Sequence, residues 1–326
     1  MGSRLMRVCI MVEGQEGVTW SEWMTLAMAC EKLGFDGLFR SDHYQSLKGG
    51  APRDALDAWM TIAALGARTK RIRLGTLVSP VTFRHPAVLA KSVAAADHIS
   101  GGRVEVGLGA GWFEREHRAF GFPFPASGER LEMLGEQMEI VHRLLDRSEG
   151  RVTFRGAHYQ LDSCEALPAP LHDPHLPLIL GGDAGPRSSR LAVRWADEYN
   201  VLFCGPTRCR EVRVRLDEEC MRAGRDPSTL PLSLMTGTVV GTDDAEVRAQ
   251  VARMMVSESE SGGPASYVEH LRDRGWIVGR VDQVLEQMAM LATAGISRVM
   301  LQMVAHDDLE SLELLGREVV TGVATL

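Results

Sequence analysis

Residues 71–109 read RIRLGTLVSPVTFRHPAVLAKSVAAADHISGGRVEVGLG, and this stretch decides the fold. Residues 72–78 are apolar and rich in β-branched side chains, which predicts a strand. Pro86 pre-sets the first turn of a helix, and apolar residues at helical spacing carry that helix to residue 99. Residues 104–108 then form a second strand. Two strands joined through a helix must run parallel, because an antiparallel pair would need only a short turn.

The same unit repeats in both directions. Towards the N-terminus, a strand over 6–11 is followed by Thr19 and Glu22, spaced as a capping box, and by a helix that stops at Gly34. A short strand over 38–40 precedes a helix capped by Asp54 and carrying Trp59, Ile62 and Leu65. Towards the C-terminus come a helix over 129–145, a hairpin over 152–161 and a proline-rich stretch over 168–177. Strands over 178–180, 199–203, 232–240 and 298–302 then alternate with helices over 189–196, 210–223 and 281–294. Eight α/β repeats without a break in composition fit a closed (β/α)8 TIM barrel better than an open sheet. The reading is a single domain over 1–326, with a hairpin insertion at about 150–177. A mobile loop at about 257–280 surrounds Ser257-Glu258-Ser259-Glu260-Ser261-Gly262-Gly263.

With 326 residues, 45% of them hydrophobic, the chain buries a large core without covalent staples. A net charge of −7 argues against nucleic acid or an anionic membrane surface as partner. The six cysteines are irregularly spaced with no Cys-x-x-Cys pair, which indicates neither a disulfide framework nor a metal. No apolar run is long enough to span a membrane, so the expectation is a cytoplasmic protein.

In a TIM barrel, chemistry gathers where strands end. That singles out Glu13, Asp42 with His43, Tyr44, Leu77-Val78, Gly109-Ala110-Gly111-Trp112 and Gly181-Gly182-Asp183. His43 is an acid or base candidate beside the carboxylate of Asp42; the plain alternative is a histidine satisfied within a loop. The glycines at 109–111 admit a ligand close to the backbone, beside the flat face of Trp112. Gly181-Gly182-Asp183, before a helix start, suits an anion at a helix N-terminus, and is otherwise an ordinary turn. Glu13, Trp20, Tyr44, Trp112, Met235 and the loop over 257–263 make a substrate pocket of mixed polarity. Glu114 with His117, and Glu139 with His142, are spaced like di-iron ligands, but such centres need four long helices. Neither a P-loop nor a dinucleotide fingerprint is present, and none of the four lysines sits at a strand end as a lyase or isomerase base would.

Arg71 to Pro125 holds four fragments in a telling order: Leu74-Gly75-Thr76-Leu77-Val78, Arg84-His85-Pro86, Asp97-His98-Ile99-Ser100-Gly101-Gly102-Arg103 and Gly107-Leu108-Gly109-Ala110-Gly111-Trp112. With Ser41-Asp42-His43 before them and Gly181-Gly182 after, the chain resembles the luciferase-like family of flavin and deazaflavin oxidoreductases. The resemblance implies a cis peptide at Leu77-Val78 against the cofactor ring. It also implies a backbone wall at Gly109, Ala110 and Gly111, and a phosphate cradle at Gly181, Gly182 and Asp183. It gives His43 a role as acid or base, with Asp42 nearby. The Asp-His pair and the Arg-His-Pro segment point to the branch using coenzyme F420, with FMN and oxygen as the alternative and a non-catalytic flavin-binding barrel as a third. A small organic substrate, a homodimer and a separate cofactor reductase complete what it implies.

Overall fold

The computed structural model describes residues 6–49, 51–258 and 263–324. Eight parallel strands form the barrel: β1 (Arg7–Val12), β2 (Gly37–Arg40), β3 (Arg73–Thr76), β4 (Val104–Gly109), β5 (Leu178–Gly181), β6 (Glu198–Leu202), β7 (Leu232–Gly241) and β8 (Ile296–Met303). β1 pairs with β2 on one side and with β8 on the other, Arg7 facing Arg298, so the sheet closes on itself. The strands read as continuous apolar runs because helices cover their outer faces.

The helices before the last strand are α1 (Trp20–Leu33), α2 (Ala58–Arg68), α3 (Pro86–Ser100), α4 (Glu114–Phe120), α5 (Ser127–Leu144), α6 (Pro186–Trp195), α7 (Pro206–Ala223), α8 (Asp244–Glu258), α9 (Pro264–Asp273) and α10 (Val281–Thr293), and a further helical stretch begins at Leu309–Leu314. Thr19 and Glu22 do form a capping box on α1, and Gly34 ends that helix in the left-handed region at φ 87°. The hairpin pairs Val152–Arg155 with Gln160–Cys164 antiparallel, inside the stretch expected to be inserted.

Three readings need correction. α2 starts later than Asp54, because Asp57 is the cap: its carboxylate accepts the Met60 N–H at 3.0 Å. The third strand is interrupted after Thr76, and Ser79–Pro80 rejoins β4 with Ser79 opposite Leu108. The stretch at 257–280 is chiefly ordered structure, with residues 259–262 outside the described residues. α9 leads into a strand, Ile277–Arg280, that pairs with the end of β7. Val239, Val251, Tyr267, Leu271, Trp276 and Val278 give that segment a small core of its own. Its serine- and glutamate-rich start hides these apolar positions from a composition-based reading.

Inside the barrel, two layers stack. At the N-terminal ends of the strands Arg298, 1% exposed, donates to Glu198 at 2.7 and 3.0 Å and lies 2.8 Å from Glu105. Arg7 and Arg73 extend the cluster to the outside. Towards the C-terminal ends, Cys9, Met11, Phe39, Leu77, Ile179, Met235 and Met300 form an apolar layer, with Val78 packed on it. The charged floor and apolar ceiling leave the mouth, where the loops converge, as the place for a site.

Candidate active site

The Leu77–Val78 peptide is cis, where the resemblance placed one. Val78 is half-buried, and its side chain lies among three glycines. A Cβ at Gly107 would come within 3.0 Å of Val78 Cγ1, one at Gly109 within 2.5 Å of Cγ2, and one at Gly181 within 2.9 Å of Cγ1. Gly109 and Gly181, read from sequence as places where a ligand nears the backbone, are first of all what lets Val78 cross the mouth. The result is an apolar platform at the centre of the strand ends, which fits one face of a flat ring. Ala110 and Gly111, the latter at φ 77°, continue from β4 at its edge.

His43 stands at the same mouth, just past the end of β2. Its partner is Glu116 of α4: Nδ1 lies 2.8 Å from the Glu116 carboxylate, which is completely buried. That carboxylate also accepts the backbone N–H groups of Tyr44 and of Gln45, the latter at 3.2 Å. With Nδ1–H committed to Glu116, Nε2 is the atom left to exchange a proton, and it has no protein partner among the described residues. Trp112 and Phe113 present ring edges to the imidazole, each with centroids 5.9 Å away. Burial pulls the imidazole pKa down, but hydrogen bonding and charge from Glu116, with the carboxylates of Glu13 and Asp42, outweigh it, so His43 titrates above its ordinary value.

Asp42 does not partner His43, contrary to the sequence reading. Buried and turned aside, it accepts Arg84 Nη1–H at 2.5 Å, Nη2–H at 3.2 Å and the Ser79 hydroxyl at 2.6 Å. Ser79 in turn accepts the Trp59 indole N–H at 3.1 Å, and Arg84 reaches Asp57 at 2.9 Å. Asp42 is thus the bolt that fixes the end of β2, the segment after the cis bond and the start of α2. Its influence on His43 is a field, not a proton path.

Glu13 is held by two amides: Gln302 donates to Oε1 at 2.7 Å and Gln15 to Oε2 at 2.6 Å. Tyr44 packs against Phe83, Phe120 and Phe122, with centroids 5.1 to 5.7 Å apart. Trp112 is 64% exposed. Met235 instead belongs to the interior layer with Leu77 and is not an open wall. Trp20 opens α1 and is partly exposed. Most of the 257–263 pocket loop lies outside the described residues.

The rim by β5 also departs from its expected form. Gly182 N–H donates to Asn200 O at 3.1 Å and Ala184 N–H to Tyr199 Oη at 2.7 Å, so the twin glycines do not offer both their donors to an anion. The open donors lie one step on. α6 begins at Gly185-Pro186 without a side-chain cap, nothing fills the space where a Gly185 Cβ would stand, and the N–H groups of Arg187 and Ser188 have no intrahelical acceptor. α7 opens in the same way at Gly205-Pro206. An anionic tail fits here, at helix N-termini flanked by Arg187 and Arg208, with exposed Asp183 at the edge.

Sequence reasoning missed Glu116. The Glu114–His117 spacing drew attention to α4, yet Glu114 is exposed and His117 is occupied: its Nδ1 lies 2.8 Å from Phe113 O and its Nε2 2.5 Å from the Thr82 hydroxyl. The His43–Glu116 pair spans 73 positions, which no local spacing reveals. Among the described residues no cluster of potential metal ligands forms.

The model of the luciferase-like monooxygenase family matches residues 6–298. An F420-dependent glucose-6-phosphate dehydrogenase of Nakamurella multipartita is 38% identical over 181 residues, 55% of this chain and 51% of that protein; the chain spans about half the length of this relative. The enzyme of the same name from Nocardia farcinica is 28% identical over 94% of both chains. A solved F420-dependent secondary alcohol dehydrogenase, in complex with an F420–acetone adduct, superposes with a TM-score of 0.80 over 98% of this chain and 99% of that one, at 22% identity. At that identity the likeness establishes the barrel.

Proposed function

The chain belongs to the luciferase-like monooxygenase family, and from that premise we propose that it is an F420-dependent oxidoreductase in which His43 handles the proton that accompanies hydride transfer. The observation that carries this reading is the His43–Glu116 pair at 2.8 Å at the same barrel mouth as the Val78 platform. The names of the Nakamurella and Nocardia relatives support the choice of cofactor and a substrate carrying a carbon-bound hydroxyl. When bound, F420 exchanges a hydride with the substrate carbon.

The chain's own residues do the rest. Val78, Ala110 and Gly111 seat the ring, and the open donors of α6 and α7 hold its anionic tail. Trp112 and Tyr44 bound a small organic substrate, with Phe113 beside them. Glu116 keeps Nδ1 protonated, so that His43 Nε2 accepts the hydroxyl proton in oxidation and returns it in reduction. The reading extends to a homodimer in the cytoplasm served by a separate reductase; among the described residues no helix is long and apolar enough to cross a membrane.

Titrating the protein with F420 and with FMN tests the cofactor. Tighter F420 binding and turnover without oxygen uptake are expected. Tight FMN binding with oxygen consumption overturns the reading in favour of the flavin monooxygenase, and retention of either cofactor without turnover selects a binding barrel.

A further inference from the structure

Away from His43, two thiols meet at the end of β6. Cys204 follows that strand, and Cys209 lies in the first turn of α7, its N–H donating to Gly205 O at 3.1 Å. Their sulfur atoms are 3.4 Å apart. Cys209 is buried, whereas Cys204 is half-buried and lines a cavity of about 360 Å³ with Gly205, Pro206, Trp276, Met290 and Leu291. No other cysteine shares this arrangement. Cys9, Cys30 and Cys220 are buried, and burial pushes the Cys9 thiol up to about 12. Cys164 sits on the hairpin, with no sulfur neighbour among the described residues. A hydrogen bond from Cys209 lowers the Cys204 thiol pKa, with Arg208 adding to the effect, and the same contact raises that of Cys209. That asymmetry separates an attacking thiol from a resolving one.

We propose that Cys204 and Cys209 form a thiol–disulfide exchange site whose reactant is a small disulfide entering the cavity at Cys204. The Cys204 thiolate attacks one sulfur of the incoming disulfide; a mixed disulfide forms and the first small thiol leaves with the proton that Cys204 gave up. Cys209 then attacks Sγ of Cys204, giving its own proton to the second departing thiol. The two protein thiols are oxidised to one disulfide, and the small disulfide is reduced to two thiols. The sulfurs must close by only about 1.4 Å to reach bonding distance. Arg208 lies inside the loop so formed and donates to Asp183 O at 3.3 Å, which ties this chemistry to the β5 rim.

The test is incubation of the full chain with glutathione disulfide, followed by intact mass, thiol titration and peptide mapping. The expected result is loss of two of the six thiols and of the mass of two hydrogens, mapped to Cys204 and Cys209 within one chain. Cys209→Ser should trap the glutathione adduct on Cys204, and Cys204→Ser should carry none. Cys204→Ala is a second form of that control should the serine variant fail to fold. A lasting glutathione adduct on Cys204 of the unsubstituted chain, a disulfide mapped to any other pair, or six thiols still titratable overturns the proposal. None of these readouts depends on the cofactor.

Discussion

The two sides of the barrel mouth are built on opposite plans. On the β2 side the key polar groups are committed: Glu116 takes three donors, Asp42 takes Arg84 and Ser79, and Glu13 takes two amides. On the β5–β6 side two helices open on Gly-Pro with uncapped donors, and arginines stand around them. A side whose groups are fixed before anything binds suits chemistry that depends on the placement of one proton. A side with open donors suits an anion that supplies the missing acceptors itself. Under the proposed function, the contrast divides the labour into catalysis at one rim and grip at the other.

The sharpest way to break this division is His43→Ala. It should lower turnover by about two to four orders of magnitude while leaving F420 affinity nearly unchanged in a fluorescence titration. A large loss of affinity would move His43 to the gripping side. Next in size is Gly181→Ala, whose new methyl would press on Val78 and cost about 1 to 3 kcal/mol of stability in denaturant unfolding. Gly185→Ala, pointing into open space, should cost far less, and equal losses would remove the platform argument.

Glu116→Gln should shift the pH profile. With the carboxylate gone, His43 loses the strongest of the influences that raise its pKa, so the limb of kcat/KM that reports its titration moves to lower pH. In the unaltered protein that limb should lie above the ordinary imidazole value of 6.5. The smallest effect concerns stability. Because the folded pKa is raised, the stabilising contribution of His43 is complete below the unfolded value and is lost as pH rises through the folded one. Urea unfolding at several pH values should show this loss above 6.5, absent from His43→Ala; a gain with rising pH would contradict the assigned shift.

What could be read from sequence divides along similar lines. The barrel was legible because period and caps are local: Thr19 with Glu22, Gly34 at the end of the same helix, Pro86 at the start of another, and the apolar strands between them. His43 was singled out by its place at a strand end, but its partner was not, because the adjacent Asp42 offered a nearer carboxylate than Glu116 on a short helix far along the chain. The glycines at 109 and 181 were marked as places where a ligand nears the backbone, and what approaches in the structure is Val78, a contact fixed by the closed sheet. α9 and its strand were hidden for another reason: their apolar residues pack with α8 and the extension of β7 in a small cluster of their own.

The charged cluster beneath the apolar layer has a consequence for assembly. Arg298 comes from the last strand, Glu105 from the fourth and Glu198 from the sixth, so the guanidinium finds its counter-ions only when distant parts of the chain have arrived together. In the closed barrel, removing one partner would leave a buried charge unpaired at a cost of several kcal/mol. The floor therefore couples distant parts of the chain: the fourth and sixth strands are tied to the last through one guanidinium.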